Sequence, residues 1–128
     1  MILVDTSVLI DYLRTKDAQL FALMQHHAAV ICGIIRAEVL CGAQNPGHRQ
    51  RLVAALNALG QLPIPDAIWD TAGDHLARMR ATGITLPFPD VIIATLGIEN
   101  DIEVWARDQH FPTMQKVLPQ LRLFQESP

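Results

Sequence analysis

The sequence predicts an α/β protein in which helices flank a mostly parallel central sheet. Strand-like and helix-like segments alternate along the 128 residues. The strand-like segments are continuously apolar, which is typical of strands buried on both faces. Half of the residues are hydrophobic and 18% are charged, which suits a chain that buries one core. No repeat, linker or low-complexity tract divides it.

The first predicted strand is ILV at residues 2–4, and it ends at Asp5. Thr6 and Ser7, which follow, are residue types that cap helices. An apolar stripe with helical spacing comes next, which predicts a first helix. Asp5 is therefore expected at the carboxyl end of a strand, where ligands bind in open α/β sheets, although it can equally serve as the cap of the helix.

The rest of the chain continues the alternation. Apolar spacing, Gly and Pro positions and β-branched runs predict each segment. In order, these are a helix at 18–27, a strand at 28–32, a helix at 34–42 closed by Gly42, a helix at 48–59, a short extended piece at 61–65, a helix at 66–83 with Trp69, Ala72, Leu76 and Met79 on one face, a helix at 89–100, a strand at 102–106 and a short last strand at 121–124.

Composition excludes several classes of protein. The net charge of -3 and the pI near 5.9 do not indicate a nucleic-acid-binding surface, so any such partner needs a local basic patch. No apolar run approaches the ~20 residues of a membrane span, and the amino terminus lacks a secretory signal. We therefore expect a cytoplasmic protein without a membrane partner. Cys32 and Cys41 lie in apolar segments and are expected to be buried free thiols.

Four of the 13 acidic residues stand out by position. Asp5 and Asp108 each follow a predicted strand. Glu38 lies on a helix stripe between the apolar Ile34 and Cys41, and Asp90 begins the stripe of the helix at 89–100. Simpler roles stay open, because Asp90 can cap that helix after Pro89 and Asp108 can be an ordinary loop acid.

Parallel strands bring their carboxyl ends to one edge of a sheet, so these acids can share a pocket. Two carboxylates ~4 Å apart repel each other by roughly 4 kcal/mol at an effective dielectric of about 20, and a cluster of them therefore takes up protons or binds a cation. Oxygen ligands favour Mg²⁺ or Mn²⁺. None of the five histidines forms a paired ligand motif, and the adjacent His26 and His27 are expected to point to different faces.

Four segments in this order resemble the PIN-domain ribonucleases, specifically the VapC toxins of type II toxin-antitoxin pairs. They are ILVDTSVLIDYL at the start, IIRAEVLCGA, PFPDVIIAT, and WARDQHF near the end. The likeness extends over nearly the full chain.

The resemblance implies a PIN-like α/β/α sandwich, with one PIN domain over residues 1–128. It implies a Mg²⁺-dependent endoribonuclease, with Mn²⁺ as a substitute, that hydrolyses RNA phosphodiester bonds to leave a 5′-phosphate and a 3′-hydroxyl and so inhibits translation. The expected partners are a VapB-type antitoxin, RNA such as tRNA or rRNA, and a second copy in a homodimer that assembles further with the antitoxin. The catalytic residues implied are Asp5, Glu38, Asp90 and Asp108, with Asp5, Asp90 and Asp108 as metal ligands and Glu38 ligating or orienting the attacking water.

The sequence departs from the family at two positions. Ala106 stands where a threonine is frequent, and Gly33 where a serine or threonine is common, so two supporting hydroxyls are missing. Ser7 is expected to compensate with a hydrogen bond to Asp5 or to a metal-bound water, or else simply to cap the helix. Two alternatives stay open, namely a PIN-like binding module with impaired catalysis and a receiver-like phosphotransfer domain.

Two surface features complete the expectations. An acidic pocket needs cations elsewhere to hold an RNA backbone. The segments VLIDYL and FALM also have more apolar residues than one core-facing stripe needs, which indicates a partner groove that includes Leu20 and Phe21. The candidate cations are Arg14, Lys16, Arg36, Arg49, Arg51 and Arg107.

Overall fold

The computed structural model describes residues 1–26 and 28–127, and in that part of the chain seven helices flank a four-stranded sheet. His27, the last residue of the predicted second helix, lies outside the described residues, and with it the expected orientation of its side chain. The elements are β1 Ile2–Val4, α1 Thr6–Thr15, α2 Ala18–Gln25, β2 Ala29–Ile31, α3 Gly33–Cys41, α4 Pro46–Asn57, β3 Gly60–Gln61, α5 Ala67–Ala81, α6 Phe88–Glu99, β4 Glu103–Trp105 and α7 His110–Val117.

The sheet has the strand order β3-β2-β1-β4, and all three strand pairs are parallel. The predicted α/β/α sandwich with a parallel sheet is therefore confirmed. In the register of β1 and β4, Val4 lies opposite Trp105, so the two strands end side by side. The predicted last strand at 121–124 is reduced to one parallel bridge, between Leu123 and Val104.

The core lies on both sides of β1, whose three residues are buried, as expected for a strand covered by helices. Helix α6 is buried from Asp90 to Gly97 and packs against α5, β4 and α7. The predicted face of α5 is partly wrong. Trp69 is 44% exposed, and the buried face is instead formed by Ile68, Ala72, His75 and Met79.

Two further expectations need correction. Both cysteines are free, but only Cys32 is buried, because Cys41 at the end of α3 faces away from the sheet and is exposed. Helix α7 was not predicted from the sequence. Its third residue, Pro112, interrupts the helical pattern, but a proline in the first turn removes no intrahelical hydrogen bond.

In the described ranges, no helix combines the length and the apolar character needed to cross a membrane.

The close packing of α6 on β4 depends on Gly97. A Cβ atom at this position would lie 2.5 Å from Cγ2 of Val104 and 3.4 Å from the carbonyl oxygen of Ile102. The contact with Val104 is far shorter than van der Waals packing allows, so the glycine sets how closely the helix approaches the strand.

Gly97→Ala should lower the free energy of unfolding by about 1–3 kcal/mol, because the added methyl overpacks the α6–β4 contact. Gly73→Ala is the matched control, since a Cβ there meets nothing within 4 Å and the residue lies in the middle of α5. That control should stabilise the protein by about 0.5–1 kcal/mol through helix propensity. Urea unfolding measures both, and equal stability of the two variants would contradict the packing argument.

Candidate metal centre

The parallel register of β1 and β4 brings two of the four predicted acids to one edge of the sheet. Asp5 directly follows β1, and its backbone N–H donates to the carbonyl oxygen of Trp105 at 2.9 Å. Asp108 follows β4 by three residues. The Asp108 charge raises the pKa of Asp5, as expected for two carboxylates that lie near each other beyond the strand ends.

Asp5 combines the two roles that the sequence left open. Its Oδ2 atom caps α1 by accepting from the backbone N–H of Ser7 at 3.1 Å, and it also accepts from Ser7 Oγ at 2.7 Å. The side chain is nevertheless buried next to the other acids. Burial raises the pKa of Asp5, the Asp108 charge adds to the rise, and the Ser7 hydrogen bonds offset part of it.

Asp90 is the third residue of α6 and is only 9% exposed. It does not cap the helix, since α6 begins earlier, at Phe88, and shows no side-chain cap. Burial raises the pKa of Asp90, and the charges of Asp108 and Asp5 raise it further, whereas the hydrogen bond from His110 counteracts them. Asp5, Asp90 and Asp108 therefore form one electrostatically coupled group.

His110 joins this group, although no histidine was predicted to have a role. Its Nδ1 atom lies 2.7 Å from Oδ2 of Asp90 and 3.7 Å from Oδ1 of Asp108. Asp90, Asp108 and His110 each offer a ligand atom within 4.8 Å of the others. In the sequence, the sign of this contact is that His110 lies two residues after Asp108. This spacing becomes informative only once α7 is known to begin at His110.

Glu38 lies at the rim of the site and differs from its prediction. The helix stripe of Ile34, Glu38 and Cys41 is not the buried face of α3, which is instead formed by Ile35 and Val39. The exposed Glu38 accepts a hydrogen bond from Thr6 Oγ1 at 2.8 Å. It lies outside the 4.8 Å group, but its hydrogen-bond partner Thr6 directly follows Asp5 in the chain.

The side chains of the site suit a divalent cation. Burial raises the pKa values of Asp5 and Asp90, the Asp108 charge raises them further, and a cation relieves both costs. Carboxylate oxygens are the ligands that Mg²⁺ and Mn²⁺ prefer. Asp5, Asp90 and Asp108 are the carboxylates that could hold such an ion, and His110 offers a nitrogen beside two of them.

Arg107 holds the segment that carries Asp108. Its guanidinium forms ion pairs with Asp11 of α1 at 2.9 Å, Asp17 at 2.7 Å and Glu126 at 2.6 Å. It also lies 5.5 Å from the ring centroid of Trp105. Because the guanidinium already has three carboxylate partners, the expected role of Arg107 as a cation for RNA is replaced by an internal one.

The backbone of Arg107 extends this support to Asp5. Its N–H donates to Ser7 Oγ at 3.0 Å, and Ser7 Oγ in turn donates to Asp5. Ser7 therefore joins the ends of β1 and β4 beside the position where Ala106 lacks a hydroxyl. The expected hydrogen bond to Asp5 is present, while any role of Ser7 in binding a metal-bound water stays a prediction.

An open groove of about 360 Å³ lies beside the site, between α1, α3 and α4. Ile10, which is 44% exposed, lines it together with Leu13, Arg14, Glu38 and His48. The predicted apolar surplus of the early helices is therefore present at the surface.

Of the two α2 residues expected in this apolar surplus, Phe21 lies at the surface and Leu20 lies in the core. Phe21 is 51% exposed, but Leu20 is completely buried and belongs to the core. The expectation for Leu20 was wrong, because α2 turns this residue toward the sheet.

Comparison with known proteins places these features in a family. Residues 2–117 match the PIN domain family. The chain is 30% identical over 125 residues to the VapC ribonuclease Mb1587 of Mycobacterium bovis and to the ribonuclease VapC11 of Mycobacterium tuberculosis, an alignment that covers 91% of this chain and 93% of each relative. The resemblance seen in the sequence is therefore confirmed.

Solved structures share the fold at lower identity. VapBC2 from Rickettsia felis, bound to a DNA fragment from its promoter, gives a TM-score of 0.81 at 16% identity and covers 97% of this chain and 98% of that one. DNA-bound VapBC from Salmonella typhimurium gives a TM-score of 0.79 at 17% identity, with 96% of both chains covered. These structures support the fold.

Asp17→Asn tests the Arg107 network. Asp17 caps α2 by accepting from the backbone N–H groups of Gln19 and Leu20, and asparagine caps equally well, so the substitution removes only the charge that faces Arg107. We expect the free energy of unfolding at neutral pH to fall by about 0.5–1 kcal/mol, since the partly exposed pair is screened by solvent.

The loss should depend on pH. The hydrogen bond from Arg107 holds the pKa of Asp17 below 3.8, so its contribution is present above that pH and disappears as the pH falls through the lower pKa of the folded state. The unfolding free energies of both proteins in urea should therefore converge as the pH falls below that lowered pKa. A difference that stays constant with pH would contradict this account. Asp74→Asn, on the exposed face of α5, is the control and should change little.

Proposed function

The chain belongs to the PIN domain family, and on that premise we propose that it is a Mg²⁺-dependent endoribonuclease that serves as the toxin of a type II toxin-antitoxin pair. The observation that carries the proposal is the group of Asp90, Asp108 and His110 within 4.8 Å, together with the buried Asp5, at the carboxyl edge of the parallel sheet. The names of the ribonuclease relatives support RNA as the substrate.

In this proposal Asp5 and Asp90 would hold the ion directly or through water, and Asp108 would complete the shell or hold a second ion. Mg²⁺ in such a site, or Mn²⁺ in its place, supplies Lewis acidity, which lowers the pKa of a water and offsets charge on the phosphate. Ser7 keeps the Asp5 carboxylate in one orientation through its hydroxyl and backbone N–H. Orientation of the carboxylates by such hydrogen bonds typically governs metal affinity.

Glu38 is the residue proposed to orient the attacking water. Its Oε1 atom accepts from Thr6 Oγ1, which fixes the carboxylate and leaves Oε2 free to accept a proton from water at the rim of the site. The RNA backbone needs positive charge next to this rim. Arg14 lines the adjacent groove and is exposed, so of the predicted cations it has the most suitable position.

The two alternatives are less well supported. A receiver-like domain needs paired acids at the end of the first strand and a lysine at the end of a late one, whereas VDTS and VWARD offer neither. An impaired binding module was suggested by the missing hydroxyl at Ala106, but Ser7 provides a hydroxyl between the two strand ends.

The purified protein, free of any partner, should cleave tRNA or rRNA only with Mg²⁺ or Mn²⁺, and EDTA should stop it. Asp5→Asn and Asp90→Asn should each lower the rate by more than about 100-fold, since loss of even an outer group at a metal site costs ~10–100-fold. In EDTA both variants should be as stable as the wild type or more stable, because one buried charge is gone. Asp70→Asn, an exposed acid of α5, is the control.

Gel analysis of end-labelled RNA measures the rate and should show 5′-phosphate and 3′-hydroxyl ends. Equal cleavage in EDTA would contradict a metal-dependent mechanism. No cleavage of either RNA by the folded, metal-loaded protein would favour the impaired binding module. Unfolding of either Asn variant would make that acid structural.

The proposed partner is a VapB-type antitoxin, on the support of structural neighbours whose titles describe VapBC complexes. The groove beside Glu38 gives an apolar helix of such a partner a place to dock. A homodimer that assembles further with the antitoxin is also proposed. A partner in this groove would touch Glu38 and Arg14 and so would block access to the rim of the site.

Ile10→Glu should weaken the complex with the protein encoded by the adjacent reading frame by at least about 10-fold, because it places a charge in the groove. Phe21→Glu, on the exposed apolar surface of α2 outside the groove lining, should weaken it as well, since the partner is expected to extend over the early helices. Both free variants should still cleave RNA in the presence of the metal. Trp69→Glu on α5 is the control, since its side chain is equally exposed but lies on another helix. Co-purification and titration calorimetry measure binding, and unchanged affinity in both variants would place the antitoxin elsewhere.

A further inference from the structure

His110 adds a nitrogen donor to a site whose other donors are carboxylates. Its Nδ1 atom lies 2.7 Å from Oδ2 of Asp90 and 3.7 Å from Oδ1 of Asp108. The backbone N–H of His110 also donates to Oδ1 of Asp108 at 2.9 Å. The histidine is therefore in direct contact with both acids, through its ring and through its backbone.

These separations suit atoms that share one ion. Octahedral coordination with bonds of about 2.1 Å places neighbouring ligand atoms about 3.0 Å apart and opposite ones about 4.2 Å apart. The Nδ1 distances to Asp90 and Asp108 differ from these values by a few tenths of an ångström, and all three ligand atoms lie within 4.8 Å. One ion can contact all of them after small side-chain adjustments.

The start of α7 holds the imidazole in this position. His110 is the first residue of α7, and the next residue, Phe111, is completely buried and anchors the helix in the core. The His110 side chain is itself 45% exposed, so the ring can adjust toward an ion.

We propose that Nδ1 of His110 is a ligand of the cation held by Asp90 and Asp108, and that this site therefore prefers Mn²⁺ to Mg²⁺. The inference rests on the proposed function, because it concerns the metal of the same nuclease site. Mg²⁺ takes oxygen ligands almost exclusively, whereas imidazole nitrogen suits first-row transition ions. Mn²⁺ accepts the nitrogen and keeps the affinity for carboxylates.

The same distances allow a different role, in which Nδ1 keeps its proton and donates to Asp90 without touching the metal. His110 would then orient the carboxylate and would affect both ions alike. The two roles differ in whether the imidazole nitrogen is bonded to the ion, and this difference can be measured spectroscopically.

Pulsed electron paramagnetic resonance of the full chain loaded with Mn²⁺ tests the bond directly, because a coordinated imidazole nitrogen modulates the electron spin echo. We expect nitrogen modulation in the wild type, its loss in His110→Ala, and its retention in His26→Ala, an exposed histidine at the end of α2. Bound Mn²⁺ without nitrogen modulation in the wild type would overturn the proposal. The wild-type spectrum decides even if His110→Ala does not fold.

Titration calorimetry with MnCl₂ and with MgCl₂ supplies a second readout. The wild type should bind Mn²⁺ more tightly than Mg²⁺, and His110→Ala should reduce this preference by about 10-fold or more. Equal weakening for both ions would assign His110 the orienting role and overturn the proposal.

Failure of this inference can be told from failure of the proposed function. EDTA-sensitive RNA cleavage together with Mn²⁺ binding that lacks a nitrogen ligand would remove only the role of His110. A protein that binds neither ion and shows no metal-dependent cleavage would remove both.

Discussion

The parallel pairing of β1 with β4 is the constraint on which the rest of the site depends. Because Val4 lies opposite Trp105, β1 and β4 end side by side. The residues that follow them, Asp5 directly and Asp108 three positions later, therefore lie beyond the same end of the sheet. The amino end of α6 delivers Asp90 to the same space, and the first residue of α7 delivers His110. A close approach of α6 to β4, which Gly97 permits, keeps these elements in register.

The positive charge closest in sequence to the site, that of Arg107, stabilises the fold and does not pair with the acids of the site. Arg107 is next to Asp108 in the sequence, but its guanidinium turns away to Asp11, Asp17 and Glu126. Among the described residues, His110 is the one basic side chain within 4 Å of the carboxylates of Asp90 and Asp108. The burial of Asp5 and Asp90 beside the Asp108 charge disfavours their ionised forms, and a cation at the site would offset this cost. Arg107 also stabilises the loop that holds Asp108. A structural residue and a residue of the site are therefore neighbours in the sequence.

Glu38 connects the site to the groove, which gives the proposed activity and the proposed inhibition a common residue. Thr6 holds its carboxylate at the rim of the acidic group, and the same side chain lines the groove with Ile10 and Arg14. A helix docked there would bury apolar surface on α1 and cover the approach of RNA at once. Inhibition by such a partner therefore needs no change of shape in the sheet or in the buried carboxylates.

The sequence by itself determined the parallel sheet, most of the elements and the position of Asp5 at a strand end, because continuous apolar runs and helical spacing are local signals. It also singled out Asp90 and Asp108, through their place next to such elements. Only the tertiary structure decided the contacts between distant segments. The exposure of Glu38 depends on which face of α3 meets the sheet, the partners of Arg107 come from residues 90 or more positions away and from near the end of the chain, and His110 reaches Asp90 across 20 residues. Periodicity records which residues share a face of one element, but it does not record which elements pack together, and that packing sets the chemistry of the site.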